Sequence, residues 1–378
     1  MIRASRSLCA LVGILGFVSG CEEKKPSAAP TAKEGGAAPS DQALDPSVVK
    51  AVAAAASAKP GRGRGQGAEG GPPPNGVFDP GMADKELAPG APPKITVGST
   101  GKEPRFPISL APKAGSKIPA HLSLQLRTGP RSALPTIDFI LSFEVEKPKG
   151  AAPGAVPAAA APAAAAPTDL GVTVKVTKAA LGTTQPGNVP AEVGKLIGQL
   201  GGSTVTYRVA PNGAGSDFKH TISNAAANDL DEALRAVEEA IATTTIPAPV
   251  EALGAEAFWM VTTRERFLGS DVIAYRMIKV ESNDGKQASL DVSVKRYAAN
   301  ASLTLPGAPG QLSIEQFMAV SEGQVDVLAT GGFPGEHVLT QQVQALMTVK
   351  EKPDQKASLQ TEAKTLLEMG GKKKPAGG

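Results

Sequence analysis

The feature that most constrains this chain is a two-residue alternation of apolar and polar side chains in several separate segments. "LSLQLR" (122–127) and "VTVKVT" (172–177) show it most clearly. Successive side chains of a strand point to opposite faces, so the alternation predicts strands with one apolar and one hydrated face, as in antiparallel sheets. Turn sequences separate such segments, among them "PNG" at 211–213 and "NDG" at 283–285.

Two segments instead have helical periodicity, near 188–200 and 225–243. Their apolar stripes are Val193, Leu196, Ile197 and Leu200 in the first, and Leu230, Leu234, Val237 and Ile241 in the second. The opposite face of the second helix carries Asp231, Glu232, Arg235, Glu238 and Glu239. We therefore expect an α+β fold: a large curved antiparallel β-sheet, or two sheets, with two helices packed on the apolar face.

Composition divides the chain into segments. Residues 21–95 are rich in Ala, Pro and Gly with few large apolar side chains, which predicts a disordered linker. The β-rich globular domain is predicted at 96–350, with a mobile Ala/Pro loop at 147–169, because prolines interrupt its alanines every few residues. Residues 351–378 are expected to form a basic C-terminal tail that begins with one short helix.

The first residues have the pattern of an export signal. A basic start precedes an apolar stretch over 8–18, which is too short to span a bilayer, and small residues follow it. The tetrad Val18-Ser19-Gly20-Cys21 resembles the lipobox of bacterial lipoproteins. That resemblance implies removal of residues 1–20 as a signal peptide and acylation of Cys21 with fatty acids such as palmitate. A signal peptide that happens to end near a cysteine is the alternative.

The same resemblance predicts a location. An acylated Cys21 would anchor the protein in a membrane of the cell envelope. Glu22 and Glu23 follow the cysteine, and the lack of Asp there favours the outer membrane, facing the periplasm, with exposure at the cell surface as the alternative.

Residue types that carry chemistry are sparse. After removal of the signal, Cys21 is the last cysteine, and His121, His220 and His337 lack the spacing of a metal site. The chain has no phosphate-binding loop and no nucleophile elbow. We therefore expect a protein that is not an enzyme, with no catalytic residues, no metal and no cofactor. A formal net charge of +3 also gives no reason to expect a nucleic-acid partner.

One longer stretch resembles a known family. "IPAPVEALGAEAFWMV" (246–261) and "EGQVDVLATGGFPGEHV" (322–338) are similar to exported bacterial proteins classed as a domain of unknown function, family 6263. The matching positions are Pro247, Pro249, Val250, Gly254, Trp259, Gly323, Asp326 and Gly335. The resemblance covers about 170–347. It implies a β-rich envelope domain, and it implies no activity.

The predicted strands expose more apolar surface than two helices can cover. The surplus must close on a second sheet or line a pocket. The residues expected to line such a pocket are Phe139, Leu141, Val174, Leu234 and Leu290. The leading hypothesis is a non-catalytic cell-envelope lipoprotein that binds an apolar ligand, such as a lipid, or a protein component of the envelope. A structural or protein-interaction module of the envelope is the alternative, and a hydrolase is the third.

Overall fold

The structure, a computed structural model, describes residues 72–128, 135–147, 169–182, 189–303, 312–328, 332–350 and 352–370. The helices in these ranges are α1 (Met82–Glu86), α2 (Ala191–Gly198), a 3-10 helix (Ala225–Leu230) and α3 (Asp231–Thr244). The strands are β1 (Lys94–Ser99), β2 (Lys117–Thr128), β3 (Ile137–Val145), β4 (Leu170–Leu181), β5 (Thr204–Val209), β6 (Gly215–Thr221), β7 (Phe258–Phe267), β8 (Ser270–Asn283), β9 (Gln287–Ala298), β10 (Ser302–Leu303), β11 (Leu312–Leu328), β12 (Glu336–Val349) and β13 (Lys352–Met369). All of these elements belong to the unit Asn75–Gly378.

All thirteen described strands form one sheet. Its order is β1-β7-β8-β9-β11-β12-β13-β2-β3-β4-β5-β6, with β10 paired to β11, and neighbouring strands are antiparallel. Two meanders, β2 to β6 and β7 to β13, are joined where β13 pairs with β2. The order begins at β1 and ends at β6, so the sheet is open. The predicted large antiparallel sheet is confirmed, but with few helices the described part of the chain is a mostly-β fold rather than the α+β fold expected. The described strands need no second sheet.

One face of this sheet, called the inner face below, carries the buried side chains of the alternating pattern. In β9 every second residue from Ala288 to Ala298 is buried, as period-two alternation requires. The strand register places six inner-face residues in one row across the sheet: Phe139, Leu122, Leu367, His337, Val325 and Leu290. The apolar alternation in the sequence therefore becomes a continuous apolar surface.

Helix α3 contacts strands near both ends of the sheet order. Glu238 bonds to His220 on β6, while the next residue, Glu239, accepts a hydrogen bond from the amide of Leu268 between β7 and β8. In a flat sheet the nine strand intervals between β6 and β8 would span about 43 Å. The two contacts, however, are made by consecutive residues of α3, whose Cα atoms are only about 3.8 Å apart. The sheet must therefore curl around α3.

Both helices predicted from the sequence form. Helix α2 packs against β4 and approaches the 3-10 helix, and α3 approaches β6 and β2. The apolar stripe of α3, including Leu234, is buried. On α2, Ile197 is buried, whereas Val193 and Leu196 are half-buried. The polar side of α3 differs from expectation. Glu238 and Glu239, predicted to face water, are only partly exposed, because the curled sheet reaches both sides of the helix.

The C-terminal prediction is wrong. Lys352–Met369 forms neither a short helix nor a tail; it is strand β13, hydrogen-bonded between β12 and β2. Its inner-face positions include Thr361, Ala363 and Thr365, which are small or polar and weaken the alternation. Pairing on both sides overrides the helical preference of its Ala, Lys, Glu and Leu residues. The domain therefore extends beyond residue 350.

The predicted start of the domain at residue 96 is also wrong. Phe78, Ala83 and Leu87 are buried on the outer face of the sheet, against Ile273 and Ala299. These few apolar residues within a polar, Gly/Pro-rich stretch form a small second cluster that fixes α1 in place. The predicted linker and loop otherwise fall mainly on residues 21–71 and 148–168, which lie outside the described residues.

Candidate functional site

The five residues predicted to line a pocket all lie on or against the inner face, and each is at most 1% exposed. Phe139, Leu141 and Val174 lie close together on β3 and β4. Leu290 is in the same row as Phe139 but five strands away, and Leu234 lies on α3. A shallow open depression on the outer face contains none of them; its lining residues are Gln125, Arg127, Glu362 and Lys364.

His337 is the one polar residue in the apolar row between Phe139 and Leu290. Its side chain is 1% exposed, and within the described part of the chain neither ring nitrogen has a hydrogen-bond partner. Burial lowers the pKa of His337 to about 4, so the ring is neutral at neutral pH. The hydroxyl of Thr365 on β13, diagonal to His337, is also buried and unpaired among those residues.

Three charged residues on the inner face of β7, β8 and β9, together with one residue of α3, are called the ionic cluster below: Glu265, Arg276, Arg296 and Glu239. Glu265 on β7 accepts hydrogen bonds from Arg276 Nη2 at 2.5 Å and from Arg296 Nε at 2.8 Å. Burial opposes ionisation of Glu265, but the two guanidinium charges lower its pKa to about 2. Glu265 is therefore ionised across the physiological pH range.

Arg296 has further partners on the sheet. Its Nη1 donates to the hydroxyl of Ser321 at 3.0 Å, and its guanidinium carbon lies 4.3 Å from the centre of the Phe267 ring. A cation placed over an aromatic face is stabilised by the ring quadrupole. Arg296 is thus held by an anion, a hydroxyl and a ring, and only 3% of its side chain is exposed.

Glu239 brings α3 into this cluster. Its Oε1 accepts a hydrogen bond from the amide of Leu268 at 3.4 Å, and its carboxyl group also interacts with Gln341 on β12. Burial raises the pKa of Glu239 to about 7, against the attraction of Arg296. Near neutral pH this carboxyl group therefore exchanges between its neutral and its charged form.

Arg276 joins the cluster to the end of α3. Its Nη1 lies 3.4 Å from two backbone carbonyl oxygens, those of Ala242 and Thr245, at the helix C-terminus. Carbonyls at this end carry partial negative charge, so a guanidinium there is favourable. Arg276 Nε is buried and has no hydrogen-bond partner among the residues that the structure describes.

A second polar attachment holds the N-terminal half of α3. His220 on β6 contacts Glu238 through Nδ1 at 2.5 Å and Asp231 through Nε2 at 3.0 Å. Arg235 Nη2 donates to Asp231, as the i,i+4 spacing predicts. Partial burial disfavours the imidazolium, but hydrogen bonds to both carboxylates raise the pKa of His220 overall. Both ring nitrogens are occupied, so His220 fixes the helix in place.

Sequence reasoning missed the ionic cluster, although a signal for it exists. In β7, β8 and β9, Glu265, Arg276 and Arg296 occupy positions whose neighbours two residues away are mostly apolar and buried. A charged residue at such a position either lies at the end of a strand or is buried with a partner of opposite charge. Within the described ranges, no group of three His, Cys, Asp or Glu residues is arranged to hold a metal ion.

Comparison with known proteins adds no assignment. No family model matches the chain, and no curated protein matches it. Membership of residues 170–347 in family 6263 therefore stays a prediction. The assignment of residues 18–21 as a lipobox stays a prediction as well. Cys21 lies outside the described residues. In the described part of the chain, no helix has both the length and the apolar character needed to cross a membrane.

Proposed function

We propose that this protein is a non-catalytic lipoprotein of the bacterial cell envelope, anchored through Cys21, whose inner face binds an apolar ligand. One observation carries the binding proposal. The amphipathic helix α3 lies against an extended apolar face, and polar contacts hold it near both ends, at the Asp231 carboxylate and at the Ala242 carbonyl. Polar attachments can be exchanged for water at modest net cost, so the helix can leave the face and a ligand can replace it.

The apolar side of α3 marks the space that the ligand would occupy. Leu234, Val237 and Ile241 are fully buried. Burial of each such side chain contributes about 1.5–3 kcal/mol, so an empty inner face would be strongly unfavourable. An acyl chain or another extended apolar group would bury the same surface. The ligand therefore competes with α3, which distinguishes this arrangement from a permanently open pocket.

The ionic cluster supports binding rather than hydrolysis. A glutamate pair with separated pKa values is a familiar acid–base arrangement, and Glu239 and Glu265 have such values. Both oxygens of Glu265, however, accept hydrogen bonds from arginine, and the pair lies against the end of α3. This geometry favours a role of the ionic cluster in holding α3 against the sheet over a role in hydrolysis.

A protein-interaction module of the envelope is the second candidate. Phe258 and Met260 on β7 each have 37% of their surface exposed on the outer face, next to β1 at the end of the strand order. Apolar side chains beside a sheet edge are typical of protein contacts. In this alternative the inner face stays closed and the outer face binds the partner.

Native mass spectrometry of the full-length protein extracted from membranes tests the proposal. We expect a mass above that of the acylated polypeptide, and we expect the excess to be lost on denaturation. Trp259 is the one tryptophan of the chain, and its Nε1 donates to the Pro247 carbonyl just after α3. Its fluorescence should therefore change when the ligand binds or is released. A bare acylated mass, with no change of Trp259 fluorescence on adding lipid, would contradict the binding proposal. A co-purifying polypeptide without lipid would favour the interaction module.

A further inference from the structure

We propose that the ligand is an anionic amphiphile, with its head group bound by Arg276 in the place now taken by the C-terminus of α3. This inference rests on the proposed function, because it assigns the ligand class for the same inner face. The head group would be a carboxylate or a phosphate, and the tail would be an acyl chain.

The hydrogen-bond donors of Arg276 are incompletely used. Nη2 is bonded to Glu265, but Nε has no partner among the described residues, and Nη1 has only the two carbonyls at 3.4 Å. Arg276 is only 5% exposed, so solvent reaches it poorly. A buried guanidinium with unmet donors is costly. The oxygens of an anion that replaced the two carbonyls at the C-terminus of α3 would accept charge-assisted hydrogen bonds from Nη1.

The charges of the cluster also leave room for an anion. Arg276 and Arg296 are fixed positive charges, while Glu265 alone is a fixed negative charge. Glu239 supplies a second negative charge only in its ionised form, and it is carried by α3 itself. When α3 leaves the inner face, the sheet keeps two arginines against one glutamate. A bound anion restores neutrality in a site of low dielectric.

The surroundings of Arg276 fit the tail of an amphiphile. Its cross-strand partners are Val261 on β7 and Val294 on β9, and the next inner-face residue of β8 is Ile278. All three are at most 1% exposed. In the present structure the partial negative charge of the α3 C-terminus occupies the position of the head group. The helix thus mimics the ligand at both its polar and its apolar ends.

Binding of matched amphiphiles tests this assignment. The full chain carrying Cys21→Ser would be titrated with dodecanoate, dodecyl phosphate and dodecanol, with Trp259 fluorescence as the readout. We expect at least one of the two anions to bind about tenfold or more tightly than the alcohol, because charge-assisted hydrogen bonds exceed neutral ones. The tighter anion identifies the head group as carboxylate or phosphate.

A matched pair of variants locates the effect. Arg276→Gln should abolish the preference for an anion, whereas Arg264→Gln should keep it, since Arg264 is a similarly buried arginine bonded to Asp271 on the outer face. Equal binding of dodecanol and both anions would overturn the head-group assignment and leave the apolar site intact. Failure of all three amphiphiles to bind would overturn the proposed function as well. If Arg276→Gln does not fold, the comparison of the three ligands on the full chain that carries Cys21→Ser alone still decides.

Discussion

Replacing Glu239 with glutamine isolates the titratable contact between α3 and the sheet. The pKa of Glu239 is raised from an ordinary 4.5 to about 7 in the folded protein. A raised carboxyl pKa means that the folded state holds the proton more tightly than the unfolded state. The stability from this group is therefore full below about pH 4.5 and is lost as the pH rises towards 7.

The magnitude follows from the difference between the two pKa values. A shift of about 2.5 units corresponds to about 3.4 kcal/mol, and partial solvent access at the carboxyl group reduces this to about 2–3 kcal/mol. Glu239→Gln is neutral at every pH and retains an acceptor for the Leu268 amide. We expect the variant and the wild type to be equally stable at pH 4.5. At pH 8.5 the variant should be more stable by about 2–3 kcal/mol.

Urea unfolding followed by Trp259 fluorescence, at both pH values, measures this difference. Other titrating groups, including His220, are common to both proteins and cancel in the comparison. Glu256→Gln is the control, because Glu256 is an exposed carboxylate paired with Lys102 away from α3, and it should give no such change between the two pH values. A Glu239→Gln variant that is no more stable than wild type at pH 8.5 would refute the argument from burial.

Three further predictions follow from local geometry and composition. Gly254→Ala should destabilise the domain by at least about 2 kcal/mol in urea unfolding, because the added methyl group would overlap the Lys102 carbonyl oxygen; unchanged stability would contradict that close approach. Cys21→Ser should abolish labelling with palmitate and association with membranes, and a variant that still labels would disprove the lipobox assignment. Brief proteolysis should cut within 22–74 and 148–168 and spare the remainder of the domain, whereas equal resistance throughout would contradict the composition argument.

The alternation in the sequence was sufficient to predict the antiparallel strands but not their order. The row from Phe139 to Leu290 exists because β13 pairs with β2, and β13 has too many small and polar residues to be recognised as a strand. Without β13, the two meanders would appear to be separate sheets. The curling of the sheet around α3 depends on that missing strand.

The ionic cluster was beyond sequence reasoning for a related reason. Glu265 and Arg296 lie 31 positions apart and meet only because β8 places β7 and β9 at the right register. Glu239 joins them from the side of α3 that the helical pattern assigns to water. The sequence does show charged residues at positions where the alternation calls for apolar ones. This indicates buried ion pairs, but it does not indicate which residues form each pair.

Cross-linking α3 to the sheet is the sharpest test of whether the ligand displaces this helix from the inner face. His220→Cys and Glu238→Cys place two thiols where the side chains now touch, and Cys9→Ser with Cys21→Ser removes the chain's own two thiols. A short bismaleimide should join the two cysteines, and a monofunctional maleimide provides the matched control. We expect that the cross-linked protein no longer binds dodecanoate, while the control protein still does. Equal binding by both proteins would show that the ligand does not displace α3.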